Sequence, residues 1–196
     1  MRINRVTDLL FPLVKHQMRY MRQFILAPST FGSLAPSSPW LCSRMAALAD
    51  WSQVQTVAEL GAGDGVLTRH LLRHLPAQAQ LDAYEIQPEL VQALSQRLGS
   101  DDRVTILPQS AEQLSRRYDV IFSCLPLLSL PPLVRLRILR QVRERLNPGG
   151  RFIQFQYSPL SERLLSRYFT WTRAWEVRNF PPAWVYDCTP QWRIAG

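Results

Sequence analysis

Between residues 54 and 190 the chain alternates short apolar runs with longer segments of helical spacing. Residues 54–60, 81–86, 104–107, 118–124 and 151–157 read as strands, and residues 66–75, 89–98 and 134–146 as helices between them. Strands separated by helices of this length predict a parallel sheet covered on both faces. Two further strands, 174–179 and 183–188, joined through Phe180-Pro181-Pro182, bring the expected α/β sheet to seven strands, mostly parallel. No internal repeat interrupts the pattern.

Ahead of the sheet, residues 41–51 predict a short helix and residues 27–40 a Pro/Ser-rich connection. Further upstream, Val14, Met18, Met21 and Ile25 recur at steps of 4, 3 and 4, with Tyr20 and Phe24 beside them and Lys15, Arg19 and Arg22 in a parallel stripe. That is an amphipathic helix over residues 13–26 edged with positive charge. It suits a membrane interface, and equally a place packed on its own domain. The expected organisation is an N-terminal helical extension and linker, residues 1–44, followed by one sheet-bearing domain, residues 45–196.

Charge adds a second layer. The 196 residues carry 23 Lys and Arg against 15 Asp and Glu, a net charge of +8. The excess is uneven: residues 1–44 carry six cations and one acid, residues 45–130 six arginines and ten acids, and residues 131–178 ten arginines and three acids. Lys15 is the only lysine, so nearly all of the positive charge sits on guanidinium forks that match phosphate oxygens. A phosphate-bearing partner and a merely solubilising role both fit that count.

Cys42, Cys124 and Cys188 are widely spaced and odd in number, which argues against a disulfide framework and for a reducing compartment. Three histidines without metal-ligand spacing give no zinc motif, and no metal is expected. Asp8, Pro12 and Lys15 interrupt the first apolar run, so it does not read as a signal peptide. Pro28, Pro36 and Pro39 break the longest uncharged stretch, so no spanning helix is expected.

The most specific local signal is Glu59-Leu60-Gly61-Ala62-Gly63-Asp64-Gly65, where the first strand turns into its helix. Glycines there let backbone pass close to a ligand at the edge where open α/β sheets bind nucleotides. A nicotinamide fingerprint would space its glycines Gly-x-Gly-x-x-Gly, whereas here they run Gly-x-Gly-x-Gly after an acid. Glu85 closes the second strand, where a carboxylate can bridge two ribose hydroxyls.

With these residues the chain resembles the class I S-adenosylmethionine-dependent methyltransferases over residues 45–196, whose fold is Rossmann-like. The resemblance implies S-adenosylmethionine as cofactor, with Glu59, Gly61, Ala62 and Gly63 around its methionine part, Glu85 on the ribose and Ile86 against the adenine. It also implies contacts to the adenine amino group from the segment after the third strand, here Ser110 and Ala111, where the family often has an acid and this chain has Ser110. Ser123, ending the fourth strand, completes the implied cofactor set.

The acceptor is read from Ser123-Cys124-Leu125-Pro126-Leu127-Leu128. Adenine-N6 methyltransferases of nucleic acids place an Asn- or Asp-Pro-Pro-aromatic motif here, to orient the amino group and stack on a flipped base. This chain has no carboxamide at Ser123-Cys124 and no ring at Leu127, which disfavours a nucleic-acid substrate. The same segment, together with Phe31 to Ser38, Gly149 to Tyr157 and Arg178 to Ala183, resembles bacterial phospholipid N-methyltransferases. That resemblance implies methyl transfer to the amine of phosphatidylethanolamine, and of its methylated products, by a cytoplasmic protein bound peripherally to an anionic inner membrane face.

On this reading Leu125 and Pro126 face the acceptor and Arg135, with Arg137 and Arg140 nearby, meets the lipid phosphate or forms a solvated helix face. The apolar stretch 125–134 either cradles acyl chains or packs under the N-terminal helix. Tyr157 orients the amine or caps the core, and one of Gln154 and Gln156 faces the acceptor. Arg151 reads as structural or surface, Cys124 has no partner that would make it a nucleophile, and His16 could act as base only if the N-terminal helix folds over the site. Oligomeric state has no signature in the sequence.

Overall fold

The computed structural model describes residues 37–191. The expected helix at 13–26, His16 and residues 31–36 lie outside the described residues. Seven strands, β1 (Thr56–Leu60), β2 (Gln80–Tyr84), β3 (Val104–Leu107), β4 (Tyr118–Ser123), β5 (Leu146–Gln156), β6 (Phe169–Glu176) and β7 (Ala183–Pro190), form one sheet in the order β3-β2-β1-β4-β5-β7-β6. Pairing is parallel from β3 through β5, and β7 runs antiparallel to both β5 and β6. This is the Rossmann-like, mostly parallel α/β architecture expected from the alternating pattern.

The inner strands present apolar side chains to both faces, as a sheet covered on both sides requires. One face packs α1 (Pro39–Ala46), α2 (Val66–Leu72) and α3 (Pro88–Leu98) on Val57, Leu81, Phe122, Ile153 and Val185. The other packs α4 (Pro132–Arg145) and α5 (Glu162–Leu165) on Ala58, Ile121, Phe152 and Tyr186. Local chemistry sets the helix ends. Ser38 accepts the Leu41 N–H at 3.2 Å with Pro39 next in line, and the Trp51 indole donates to the Ala46 carbonyl at 2.8 Å.

Three boundaries depart from the periodic reading. α1 covers Pro39–Ala46 rather than 41–51, and spans the division expected at residues 44 and 45, with Leu41, Cys42 and Met45 fully buried. β5 begins at Leu146 rather than 151, because Leu146 pairs with Tyr118 before a register shift that accommodates Asn147 to Gly150. β6 covers Phe169–Glu176 rather than 174–179. Its aromatic and basic residues alternate on one face of an edge strand, a pattern that lacks the apolar run of a buried strand. Residues 177–182 form the turn instead, since Glu176 accepts the Arg178 N–H at 3.1 Å.

Candidate active site

At the carboxyl edge of the sheet the chain leaves β1 through the glycine turn and enters α2. The Gly61 and Ala62 N–H groups donate to the Tyr84 carbonyl at 2.9 and 3.0 Å, which pins the turn to the end of β2. Gly61 has φ +75°, and a Cβ there would stand 2.7 Å from the Leu125 Cδ2, so the turn and the loop after β4 touch. Gly63 has φ +59° with nothing within 4 Å of where its Cβ would be. Backbone is therefore open to a ligand at Gly63.

Glu85 straps this turn from the side. One carboxylate oxygen accepts the Gly63 N–H at 2.9 Å, and the other accepts the N–H groups of Ile86 and Gln87, each at 2.9 Å. Ile86, beside it, is 66% exposed despite its apolar side chain. An apolar surface next to a carboxylate, over an open glycine turn, suits a nucleoside with its base on Ile86 and its hydroxyls toward Glu85.

Glu59, the last but one residue of β1, is fully buried, and neither of its oxygens makes a hydrogen bond among the described residues. Burial pushes its carboxyl up to about 8, with Glu85 and Asp64 adding to the rise and the polar groups of nearby Thr68, which stop short of hydrogen-bond geometry, opposing it. A buried carboxyl without a partner is costly, and a bound cation would satisfy it. Beyond β3, Ala111 is buried, while the Ser110 hydroxyl is engaged in its own turn, accepting the Glu112 N–H at 3.2 Å and donating to the Glu112 carboxylate at 3.3 Å.

The other half of the edge is built differently. Ser123 is buried and its hydroxyl accepts the Leu125 N–H at 3.3 Å. The Leu125 carbonyl in turn accepts from Gln154 Nε2 at 3.1 Å and Gln156 Nε2 at 2.9 Å. Both amides, not one, therefore grip the loop after β4, and the pair is a positioning device that periodicity alone had not resolved. Leu127 in that loop is fully buried against the α4 face, and Leu133 is exposed, so the apolar stretch divides between core and surface.

Tyr157, just past β5, stands edge-on to Phe155 at 5.4 Å on the α1 face. Burial pushes its phenol up to about 12, the Asn179 side chain pulling the other way and Cys124 adding to the rise. Burial likewise raises the Cys124 thiol well above its ordinary range. Both groups stay neutral near pH 7, so neither supplies an anionic nucleophile or base.

Around Tyr157 the structure gathers residues to which the sequence assigned no role. Asn179 Oδ1 accepts the Ser38 N–H at 3.0 Å, and its Nδ2 donates to the Pro181 carbonyl at 2.7 Å. Glu176, fully enclosed, accepts from Arg178 Nε at 2.9 Å and Arg44 Nε at 2.8 Å, which together hold it down to about 2. Arg178 also lies over the Trp40 ring at 4.2 Å. The Arg178 to Ala183 motif is thus the knot that ties the start of α1 to the end of β6. Its trace in the sequence was Glu176 two residues before Arg178, an acid and an arginine set at the head of that motif.

Of the arginines near α4, Arg137 pairs with Glu112 at 3.3 Å and Arg140 with Glu144 at 2.8 Å, while Arg135 makes no ion pair among the described residues. Arg151 pairs with Asp187 at 2.6 Å across β5 and β7. Among the described residues no group of three or more His, Cys, Asp or Glu could hold a metal ion, and no helix is long and apolar enough to cross a membrane.

Comparison with known proteins matches residues 58–152 to the family described as Methyltransferase domain. The chain is 28% identical, over 86% of its length and 93% of the relative's, to the ornithine lipid N-methyltransferase of Singulisphaera acidiphila. In fold it is similar to the N-methyltransferase NodS of Bradyrhizobium japonicum in complex with S-adenosyl-L-homocysteine, with a TM-score of 0.64 at 15% identity over 80% of this chain and 90% of that one. It is also similar to an S-adenosylmethionine-dependent O-methyltransferase of Thermotoga maritima, with a TM-score of 0.66 at 17% identity over 87% of this chain and 72% of that one.

The residues present fit S-adenosylmethionine. Glu59 offers a buried, unpartnered carboxyl to a cationic group, Gly63 an open stretch of backbone, and Glu85 and Ile86 a carboxylate and an apolar surface for a nucleoside. The chain thus matches a methyltransferase domain over residues 58–152, with a methyltransferase-like fold and a cradle that fits S-adenosylmethionine as its cofactor.

Proposed function

We propose that the protein transfers a methyl group to the primary amine of a membrane-lipid headgroup at an anionic membrane surface on the cytoplasmic side. The likeness to a lipid N-methyltransferase along nearly the whole of both chains carries this reading. Phosphatidylethanolamine and ornithine lipid both present a primary amine, and the experiment below decides between them. An acceptor loop without the carboxamide and ring of base methyltransferases supports a lipid rather than a nucleobase.

When bound, S-adenosylmethionine supplies a sulfonium methyl with a good neutral leaving group, so the protein's part is positioning and exclusion of water. Glu59, Gly61, Ala62 and Gly63 hold the methionine end, Glu85 the ribose, and Ile86 with Ala111 the adenine side, near Ser110. Ser123, Gln154 and Gln156 fix the backbone of Leu125, so Leu125 and Pro126 wall the acceptor site at a set distance from the glycine turn. Tyr157, a neutral phenol, accepts a hydrogen bond from the amine and orients its lone pair. Its ring favours the methylated cation that forms. Arg135 meets the headgroup phosphate or carboxylate.

The test is transfer of labelled methyl to vesicles that carry either phosphatidylethanolamine or ornithine lipid, with total RNA as a parallel acceptor. Label in a lipid amine is expected, and the better lipid names the headgroup. Label in RNA alone would overturn the reading.

A further inference from the structure

The large apolar side chains exposed among the described residues are distributed to one side. Ile86 belongs to the cofactor cradle. Of the others, Leu133 heads α4, Leu160 follows β5, and Trp175 and Val177 lie at the end of β6. Phe180, 87% exposed, tips the β6–β7 turn, and Trp40 heads α1, which the Ser38–Asn179 hydrogen bond holds to that same turn. All stand at the carboxyl edge of the sheet, the edge that carries the mouth of the site. The opposite edge exposes no large apolar side chain among the described residues.

Charge on the β4–β7 part of this rim complements a bilayer of anionic lipid, while exposed Asp64 and Glu89 lie apart from it on the cofactor side. Arg135 stands in the first turn of α4, Arg163 three residues past Leu160, and Arg178 between Val177 and Phe180. Arg135 and Arg163 make no ion pair among the described residues. The nearby acids Glu162 and Glu176 are already paired, with Arg173 and with Arg44 and Arg178. Apolar side chains from separate elements are interspersed here with guanidinium groups. Such side chains can enter the headgroup region while arginines meet lipid phosphates.

The geometry points to this rim, built from residues 37–191, as a membrane-docking face that seats the mouth of the site directly on the headgroups. It rests on the lipid reading above and names the surface that delivers the acceptor. The apolar tips enter the bilayer interface, the unpaired arginines hold the phosphate layer, and an amine presented from the leaflet reaches Tyr157 without the lipid leaving the membrane.

The test uses the full chain and vesicles of phosphatidylcholine with about three parts in ten phosphatidylglycerol, an anionic surface without a methylatable amine. Val177→Asp combined with Phe180→Asp is expected to weaken co-sedimentation with these vesicles by about tenfold or more, with S-adenosylhomocysteine affinity unchanged. Ala77→Asp with Gln78→Asp, exposed at the opposite edge, matches the charge and is expected to leave vesicle binding within about twofold. Full vesicle affinity in the rim variant overturns the proposal. If the variant also halves the sedimentation mass, the rim joins two copies; if it also loses thermal stability, residues 1–36 cover it. A wild-type chain that binds vesicles yet methylates neither lipid amine overturns the substrate reading and leaves the docking face standing.

Discussion

Between residues 37 and 122 seven arginines stand against ten acids, whereas between residues 123 and 191 ten arginines stand against four. The two halves of the carboxyl edge differ in the same sense. The first, from β1 to β3, is a cradle of carboxylates and open backbone, with Glu59 and Glu85 buried beneath a glycine turn. The second, from β4 to β7, is lined with neutral amides, a phenol and apolar tips, and its one buried acid among the described residues, Glu176, is neutralised by arginine. A cationic sulfonium cofactor calls for the first chemistry. An acceptor amine, which must be neutral to attack, calls for the second.

The comparison breaks most severely at Glu85. Glu85→Ala leaves the N–H groups of Gly63, Ile86 and Gln87 without their acceptor, at about 1–3 kcal/mol for each group that stays buried. Cofactor affinity measured by calorimetry should fall at least about hundredfold and the melting temperature should drop. Retained affinity would remove Glu85 from the site.

Glu59→Gln keeps the shape and removes the charge, and should weaken the cofactor by about ten- to hundredfold. The direction of the pH effect follows from its raised value. Near pH 7 the empty site holds a proton on Glu59, and a bound ammonium lowers the carboxyl below that pH, so binding releases a proton and affinity rises up to about pH 8. Calorimetry in buffers of different ionisation enthalpy counts that proton. In the empty protein the same group makes stability fall as pH rises from 4.5 to about 8, because the folded state holds the proton more tightly than the unfolded chain. Glu59→Gln should remove that slope.

The second half should answer through turnover instead. Gln156→Leu removes the shorter of the two amide bonds to the Leu125 carbonyl, leaving Gln154 alone to hold it, and should lower the rate of methyl transfer by about tenfold with cofactor affinity within about twofold. Tyr157→Phe should reduce transfer to the amine by a few-fold to about tenfold, again with unchanged cofactor binding. A wild-type rate would take Tyr157 out of the mechanism. The smallest effect belongs to Ser110→Ala, under about twofold on cofactor affinity, because that hydroxyl is occupied by Glu112.

Much of this was legible because it is local. Apolar runs at strand and helix periods and the Glu59 to Gly65 turn report their structure within a few residues. The bounds of β6, expected at 174–179, escaped that reading because an edge strand with Trp171, Arg173 and Trp175 alternating on one face lacks the apolar run of its buried neighbours. Gln154 and Gln156 were visible as two amides in an apolar strand, and buried amides need partners, but the partner lies 29 and 31 residues away.

By itself, then, the sequence determined the α/β class, the place of the cofactor turn and the uneven charge, since each is set by periodicity or by neighbours along the chain. Only the tertiary structure decided that both glutamines grip Leu125 and that Glu176 and Asn179 tie α1 to the β6–β7 turn. It also decided that the exposed apolar tips share one edge. Those relations depend on strand order and on which face each side chain meets, and contacts across 132 or 141 residues leave no periodic signal to read.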